Sequence, residues 1–206
     1  NSAADGSGTD YALTVTGATS NYGTLTLNSS AFSTGNFRNY GSGVVPASTG
    51  QHTFTDALRN DNSYTFTNGN TLLTGRGVGN SGYLLDDQGS TMNYNSGTIN
   101  IGNGTDIGGN TNIRPQASHD LNNLIINCTN SRKVILATAC DIAGNLTLTA
   151  GELDTSGSNL ALTVTGDITN SGTLTSNNSA ISSRKLISTG TLSGGGGVYT
   201  VTGAGL

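Results

Sequence analysis

Leu160-Ala-Leu-Thr-Val-Thr-Gly166, continued by Asp167-Ile-Thr-Asn-Ser-Gly-Thr-Leu-Thr175, is the stretch whose reading decides the fold. Leu162 and Val164 fall on one side, Thr163 and Thr165 on the other. A period of two is a strand with one face buried. Gly166 punctuates it, and Asn170-Ser-Gly172 gives a second turn signal. The unit is a short strand, a tight corner and another short strand. It has a near-copy at the other end of the chain. Residues 11–33 read YALTVTGATSNYGTLTLNSSAFS and residues 160–182 read LALTVTGDITNSGTLTSNNSAIS, identical at 15 of 23 positions with an offset of 149. Self-similarity at this level points to a repeat architecture. A shorter echo, Ser131-Arg-Lys-Val-Ile135 and Ser183-Arg-Lys-Leu-Ile187, supports it.

Composition narrows the choice. Of 206 residues only 33% are hydrophobic, 5% aromatic and 10% charged, and there is no tryptophan. Low hydrophobicity invites a disordered reading, because little core is left to offset chain entropy. Against that, the net charge is only −4 and the apolar residues alternate with Thr. Small strands that share a narrow continuous core with their neighbours fold as a solenoid. The expectation is an all-β chain, a parallel β-helix or solenoid with irregular rungs and Gly/Asn/Ser corners. A pI near 4.8 and dispersed Lys and Arg give no basic stripe, which argues against nucleic acid. No apolar run is long enough to span a bilayer as a helix. The start at Asn1, without Met or a charged-then-apolar leader, fits a mature secreted protein or an excised fragment.

Along the chain, residues 1–10 read as a flexible lead-in or a partner-ordered segment. Residues 11–206 read as one solenoid domain. Within it, 34–62 look like an irregular or capping excursion, and 121–206 hold the most regular rungs. Residues 121–127 and 133–139 are the most apolar strands.

Residues 121–175 follow one cadence: Asn122-Asn-Leu-Ile-Ile-Asn127, Val134-Ile-Leu136, Asp141-Ile-Ala-Gly-Asn-Leu-Thr-Leu-Thr-Ala-Gly-Glu-Leu-Asp-Thr155 and Asn159-Leu-Ala-Leu-Thr-Val-Thr-Gly166. It resembles the repeats of large secreted and cell-surface bacterial β-helix proteins, the adhesin-like group with filamentous haemagglutinin-type solenoids. The resemblance covers 121–182 and again 11–33, and is poor over 34–120. It implies an elongated, extracellular, structural or adhesive protein, and brings no catalytic residues with it.

The chemistry-bearing residues are few. Asp86-Asp87 is the only adjacent acidic pair, and its bland reading is a solvated turn. A polysaccharide-cleaving β-helix would instead need acids converging on one face. Asp141, Asp154 and Asp167 recur at an even spacing and are read as Asx-type turns, with a cation- or sugar-binding column as the sharper reading. His52 and His119 lie in no ligand-spaced motif, so zinc is not expected. Gly102-Asn-Gly-Thr-Asp106 resembles half of a calcium-binding β-roll turn, in a single copy. No metal, cofactor or catalytic residue is expected. Cys128 and Cys140 flank one strand and are a candidate disulfide, against two inward thiols of the core. Asn28, Asn103, Asn127, Asn145 and Asn177 stand in glycosylation sequons. The Thr pairs Thr14/Thr16, Thr24/Thr26, Thr147/Thr149 and Thr163/Thr165 are read as ordinary solvent-face β-propensity rather than an ice-ordering array.

A solenoid has two open ends with unpaired backbone groups. The terminal repeat copies match, and residues 198–206 carry no charged cap. Stacking the last strands of one subunit on the first of the next is a heterologous, non-closing contact that yields a filament. The expected assembly ends are Ala12, Leu13, Val15 and Leu25 on one side and Val198, Tyr199 and Val201 on the other. The functional expectation is thus a non-enzymatic extracellular structural protein, a head-to-tail polymer or a segment of a fibrous adhesin. The alternative is a β-helix that binds or cleaves a glycan along its side.

Overall fold

Alternation of Leu, Ile and Val with Thr, Ser and Asn sends one side chain of each pair inward and the next outward. A computed structural model describes residues 11–203, apart from Ser90, Asn95 and Ala117. There these alternating segments wind into a parallel β-solenoid of about nine turns. Each turn has three short walls. On the first wall the inward column runs Leu13, Phe32, His52, Thr71, Ile99, Leu124, Leu146, Ile168 and Leu186. Its shortest step is from Ile168 to Leu186 and its longest from Thr71 to Ile99. On the second wall the column runs Thr19, Phe37, Leu58, Leu85, Ile113 and Leu136, and a neighbouring one runs Val134, Leu153, Leu174 and Leu192.

The third wall comes in two pieces. Val44–Val45, Ser63–Thr65 and Thr91–Asn93 form a separate three-stranded sheet. Further on, Cys140, Leu162, Ile181 and Tyr199 stand in register. Two long strands, Leu162–Asn170 and Ile181–Ser188, turn a corner unbroken and so serve two walls each.

The interior is a set of stacked apolar columns. All four phenylalanines (Phe32, Phe37, Phe54, Phe66) are buried with Tyr64 and Tyr94 in the N-terminal half. Neighbouring rings there lie 4.6–6.4 Å apart with His52 among them. From Ile99 onward the core is Ile, Leu and Val with Cys128 and Cys140. Each fully buried Leu or Ile contributes roughly 1.5–3 kcal/mol, offset by chain entropy. Continuous columns of such side chains are what a narrow coil needs, because no single turn buries enough by itself.

Asparagine builds the corners. Asn28, Asn103 and Asn177 sit at φ 50°, 50° and 47°, the left-handed region that Asn tolerates better than most side chains. An internal amide ladder ties successive turns between the second and third walls. Asn21 Nδ2 donates to Asn39 Oδ1 at 2.8 Å, and Asn39 Nδ2 donates to Asn60 Oδ1 at 3.0 Å. Glycine is demanded where turns touch: a Cβ on Gly166 would collide with the Gly144 carbonyl oxygen.

One expectation changes. Residues 34–62 are not an excursion. They supply the strands Phe32–Asn39, Val44–Val45 and His52–Asn60, in register with their neighbours over both corners. Their Phe and His hide the Leu/Val alternation that marks the later turns. The long turns are instead the central ones, where the first-wall column steps from Thr71 to Ile99 and then to Leu124. The lead-in at 1–10 lies outside the described residues.

Candidate functional site

Alternation also decides what faces solvent. On the second wall, each of five successive turns presents an outward pair two residues apart. The pairs are Ser20 and Tyr22, Arg38 and Tyr40, Arg59 and Asp61, Asp86 and Gln88, Arg114 and Gln116. The strand register aligns their first members. Backbone bonds carry the second column, with Tyr40 N–H donating to Asn21 O, Asp61 N–H to Asn39 O and Gln88 N–H to Asn60 O.

This strip is organised by charge and by ring stacking. Asp61 accepts from Arg38 Nε and from Arg59 Nε, both at 2.7 Å. Asp86 accepts from Arg114 Nε at 2.8 Å, with Arg59 Nε at 3.9 Å. Asp86 is only 1% exposed, and Asn80 and Gln88 also donate to it. Burial pushes its carboxyl up, but the hydrogen bonds from Arg114, Asn80 and Gln88 and the Arg114 charge prevail and hold it below the usual range. The Arg38 guanidinium lies 4.2 Å over the Tyr40 ring, and Arg114 lies 4.3 Å over Tyr83. Tyr22 stacks parallel on Tyr40, centroids 4.5 Å apart, and is 63% exposed. At its far end the strip runs into a groove of about 530 Å³ lined by Gln88, Arg114, Gln116 and Thr138, among others.

Asp87 belongs to the other side of the strand. It continues the amide ladder, being in register with Asn60, and accepts from or shares a proton with His119 Nδ1 at 2.6 Å. Burial pushes its carboxyl up, against the lowering effect of His119. The pair Asp86-Asp87 is therefore not a solvated turn. It is a buried strand end whose two carboxylates point to opposite sides, so they do not face one bond together.

The remaining sequence candidates disperse. Asp141 lies on the third wall, Asp154 on the second and Asp167 at a corner. Their interval is shorter than any turn, so it cannot make a column. Asp167 pairs with Arg184 at 2.8 Å. Asp106, the acid of the calcium-like turn, accepts from Arg132 at 2.6 and 2.9 Å, from Asn130 and from Gly108 N–H, which leaves it committed to its own chain. His52 is a satisfied core histidine between Ser48 Oγ at 2.9 Å and Tyr64 OH at 2.8 Å. The outward Thr column of the first wall is interrupted by Leu72, Asn100 and Ile125.

Cys128 and Cys140 are free, buried thiols rather than a bridge. Cys128 closes the strand Asn123–Cys128 of the first wall, and Cys140 opens Cys140–Ile142 of the third. Each packs as a small apolar group, and burial pushes the thiols up to about 11 and about 12. Among the sequons, Asn28, Asn103 and Asn177 are exposed at left-handed corners. Asn127 is half-buried, and exposed Asn145 uses its Oδ1 to accept from Asp167 N–H.

The expected assembly residues sit at opposite ends of the coil. Ala12, Leu13, Val15 and Leu25 belong to the first turn, and Val198, Tyr199 and Val201 to the last. Six of the seven exposed large hydrophobics described lie in these two turns: Tyr11 and Tyr22, then Ile187, Leu192, Val198 and Val201.

Sequence reasoning missed the strip. Tyr22 and Tyr40 are distant in the chain, as are Arg38 and Arg59, and the two intervals differ. Such intervals become columns only once the turn length is known. No family, curated protein or solved structure matches this chain. What stands of the resemblance to bacterial adhesin-type repeats is the parallel β-solenoid itself, since no relative supports the family.

Proposed function

We propose that this chain is an extracellular structural protein, a rod-like coil that extends by end-to-end stacking as a fibre subunit or as a segment of a fibrous adhesin. The observation that carries it is the state of the last described turn. Its apolar side chains Leu192, Val198 and Val201 are 41%, 62% and 52% exposed, and among the described residues no further strand pairs with Tyr199–Val201 beyond Ile181–Ser188. That turn ends on the third wall at Tyr199–Val201, and the first described strand, Leu13–Val15, lies on the first wall. A second copy seated on the end therefore continues the coil in phase, with Leu13 over Leu186. Parallel edge pairing and apolar burial then act together. The role is mechanical rather than catalytic.

Sedimentation velocity and electron microscopy of the purified chain test this. Unbranched rods that lengthen with concentration are expected, and Leu192→Lys with Val201→Lys should leave single coils. Strict monomers at high concentration would overturn the polymer form. A second reading, binding of a glycan along the side of the rod, is favoured by the Tyr22–Tyr40 stack and the arginine column.

A further inference from the structure

We propose that the second-wall strip is a binding site for a linear, carboxylate-bearing polysaccharide, one sugar unit per turn. This rests on the glycan-binding reading.

Three features converge. The first is the state of the arginines. Arg38, Arg59 and Arg114 each commit Nε to a carboxylate of the strip, at 2.7, 2.7 and 2.8 Å. That bond fixes the guanidinium plane. The ion pairs to Asp61 and Asp86 run through Nε, Arg38 also engages the Tyr40 side chain, and the three arginine side chains are 38%, 29% and 31% exposed. A planar pair of N–H donors held in place is the group that grips a carboxylate with two parallel bonds.

The second feature is the local balance of charge. Three guanidiniums meet two carboxylates, and one of those, Asp86, is sealed beneath Arg114 and Arg59. The strip therefore carries one more positive than negative charge on a chain of net charge −4. A concentrated positive strip on an acidic molecule steers acidic ligands to one place.

The third feature is shape. Tyr22, parallel to Tyr40 at 4.5 Å, offers an exposed flat ring at one end, on which the C–H face of a sugar ring stacks. Asp61, Gln88 and Gln116 stand in the column beside the arginines, the polar types that hold sugar hydroxyls. Successive turns rise by about 4.8 Å, comparable to the length of one sugar residue in an extended chain. A polymer lying along the wall thus meets Tyr22, Arg38, Arg59 and Arg114 in order, and enters the groove at Gln116. Nucleic acid fits less well, because successive bases stack on successive aromatic rings and the strip offers one strongly exposed ring, Tyr22.

The test is binding of the purified chain to polygalacturonate oligomers, dextran, dextran sulfate and single-stranded DNA by calorimetry at low salt. Polygalacturonate should bind best and weaken on adding salt. Tyr22→Ala should weaken it about 3- to 10-fold, and Arg38→Lys with Arg59→Lys at least about 10-fold. The lysines keep the charge that satisfies Asp61 and lose the planar fork, so an unchanged melting curve separates binding from folding. Arg184→Gln, on the far turns, should change nothing. Equal affinity for dextran and polygalacturonate would overturn the carboxylate preference while leaving the glycan reading standing. Absence of binding to every saccharide would overturn both. Preference for DNA, or for dextran sulfate over polygalacturonate, would overturn the assignment, as would indifference to the Tyr22 and arginine variants.

Discussion

The two halves of the coil wind the same backbone around different interiors. Up to Tyr94 the core mixes aliphatic side chains with rings, and Phe32, Phe37, Phe54, Tyr64 and Phe66 pack largely edge to face around His52. Small polar side chains such as Thr34 and Thr71 take the neighbouring inward places. From Ile99 onward, aliphatic side chains stand on one another, as Leu124 on Leu146 and Leu153 on Leu174. Turn lengths are nonetheless alike. The steps from Phe32 to His52 to Thr71 in one half match those from Leu146 to Ile168 to Leu186 in the other to within a few residues. Total volume, rather than residue identity, is therefore what a turn requires, with large rings balanced by small partners. The halves also differ outside. The N-terminal second wall carries the arginine and tyrosine strip, while the last turns present Thr173, Thr175, Thr191 and Ser193.

Truncation should break the comparison most sharply. Phe54→Ala is expected to cost about 3–5 kcal/mol and Leu153→Ala about 2–5 kcal/mol in denaturant unfolding. Repeat coils are coupled mainly through nearest neighbours. Phe54→Ala should thus speed amide exchange in residues 32–94 and leave 124–187 protected. Uniform acceleration along the chain would mean that the halves unfold as one unit.

Acid should separate them next. Burial pushes His52 down to about 4, whereas an unfolded histidine titrates near 6.5. As pH falls, the unfolded chain takes up this proton first. The contribution is whole above about 6.5 and is lost progressively towards about 4, amounting to about 3 kcal/mol. His52→Gln should flatten that part of the stability profile. A wild-type profile already flat from about pH 7 to about pH 5 would argue against a buried neutral ring.

A matched pair of glycines sharpens the contrast further. Gly17 and Gly166 occupy the same place in the two repeat copies. A Cβ on Gly17 meets nothing within 4 Å, while one on Gly166 runs into the Gly144 carbonyl oxygen. Gly166→Ala should cost about 1–3 kcal/mol, and Gly17→Ala close to nothing. Equal costs would contradict the free space around Gly17. Smallest is Arg184→Gln, which breaks an exposed pair with Asp167 and should change stability by less than about 0.5 kcal/mol. A larger loss in urea titration would mark that corner as structurally committed.

Much of the fold was legible, for a definite reason. Leu162, Val164, Ile168 and Leu174 alternate with hydroxyls along each short strand, and alternation is a local property. The aromatic turns were harder to read. Phe32 and Phe37 are close in sequence yet lie on two different walls. Their contact at 5.6 Å is made across a corner. Asp86-Asp87 misled for a similar reason. Two acids in a row suggest solvent, yet Arg114 and His119, one turn further on, come back over them. Such partners are decided by closure of the turn and leave no local trace.

The repeat itself shows where the sequence stops. The first half of the repeat is two strands, Leu13–Val15 and Thr19–Asn21, in one copy and a single strand, Leu162–Asn170, in the other, but both copies close on the same corner. Asn28 and Asn177 take the left-handed corner. The backbone N–H groups of buried Ser30 and Ser179 donate back to Leu27 O and Ser176 O at 2.8 and 2.7 Å. The wall differs. Leu13 and Val15 lie on the first wall, but their counterparts Leu162 and Val164 lie on the third. Asn21 sits on the second wall, and its counterpart Asn170 on the first. Sequence alone determined strand, corner and inward face, because these follow from alternation and from which residues accept a positive φ. Only the tertiary structure decided the wall, because phase accumulates over every intervening turn. Those turns are unequal, from the short step between Ile168 and Leu186 to the long one between Thr71 and Ile99.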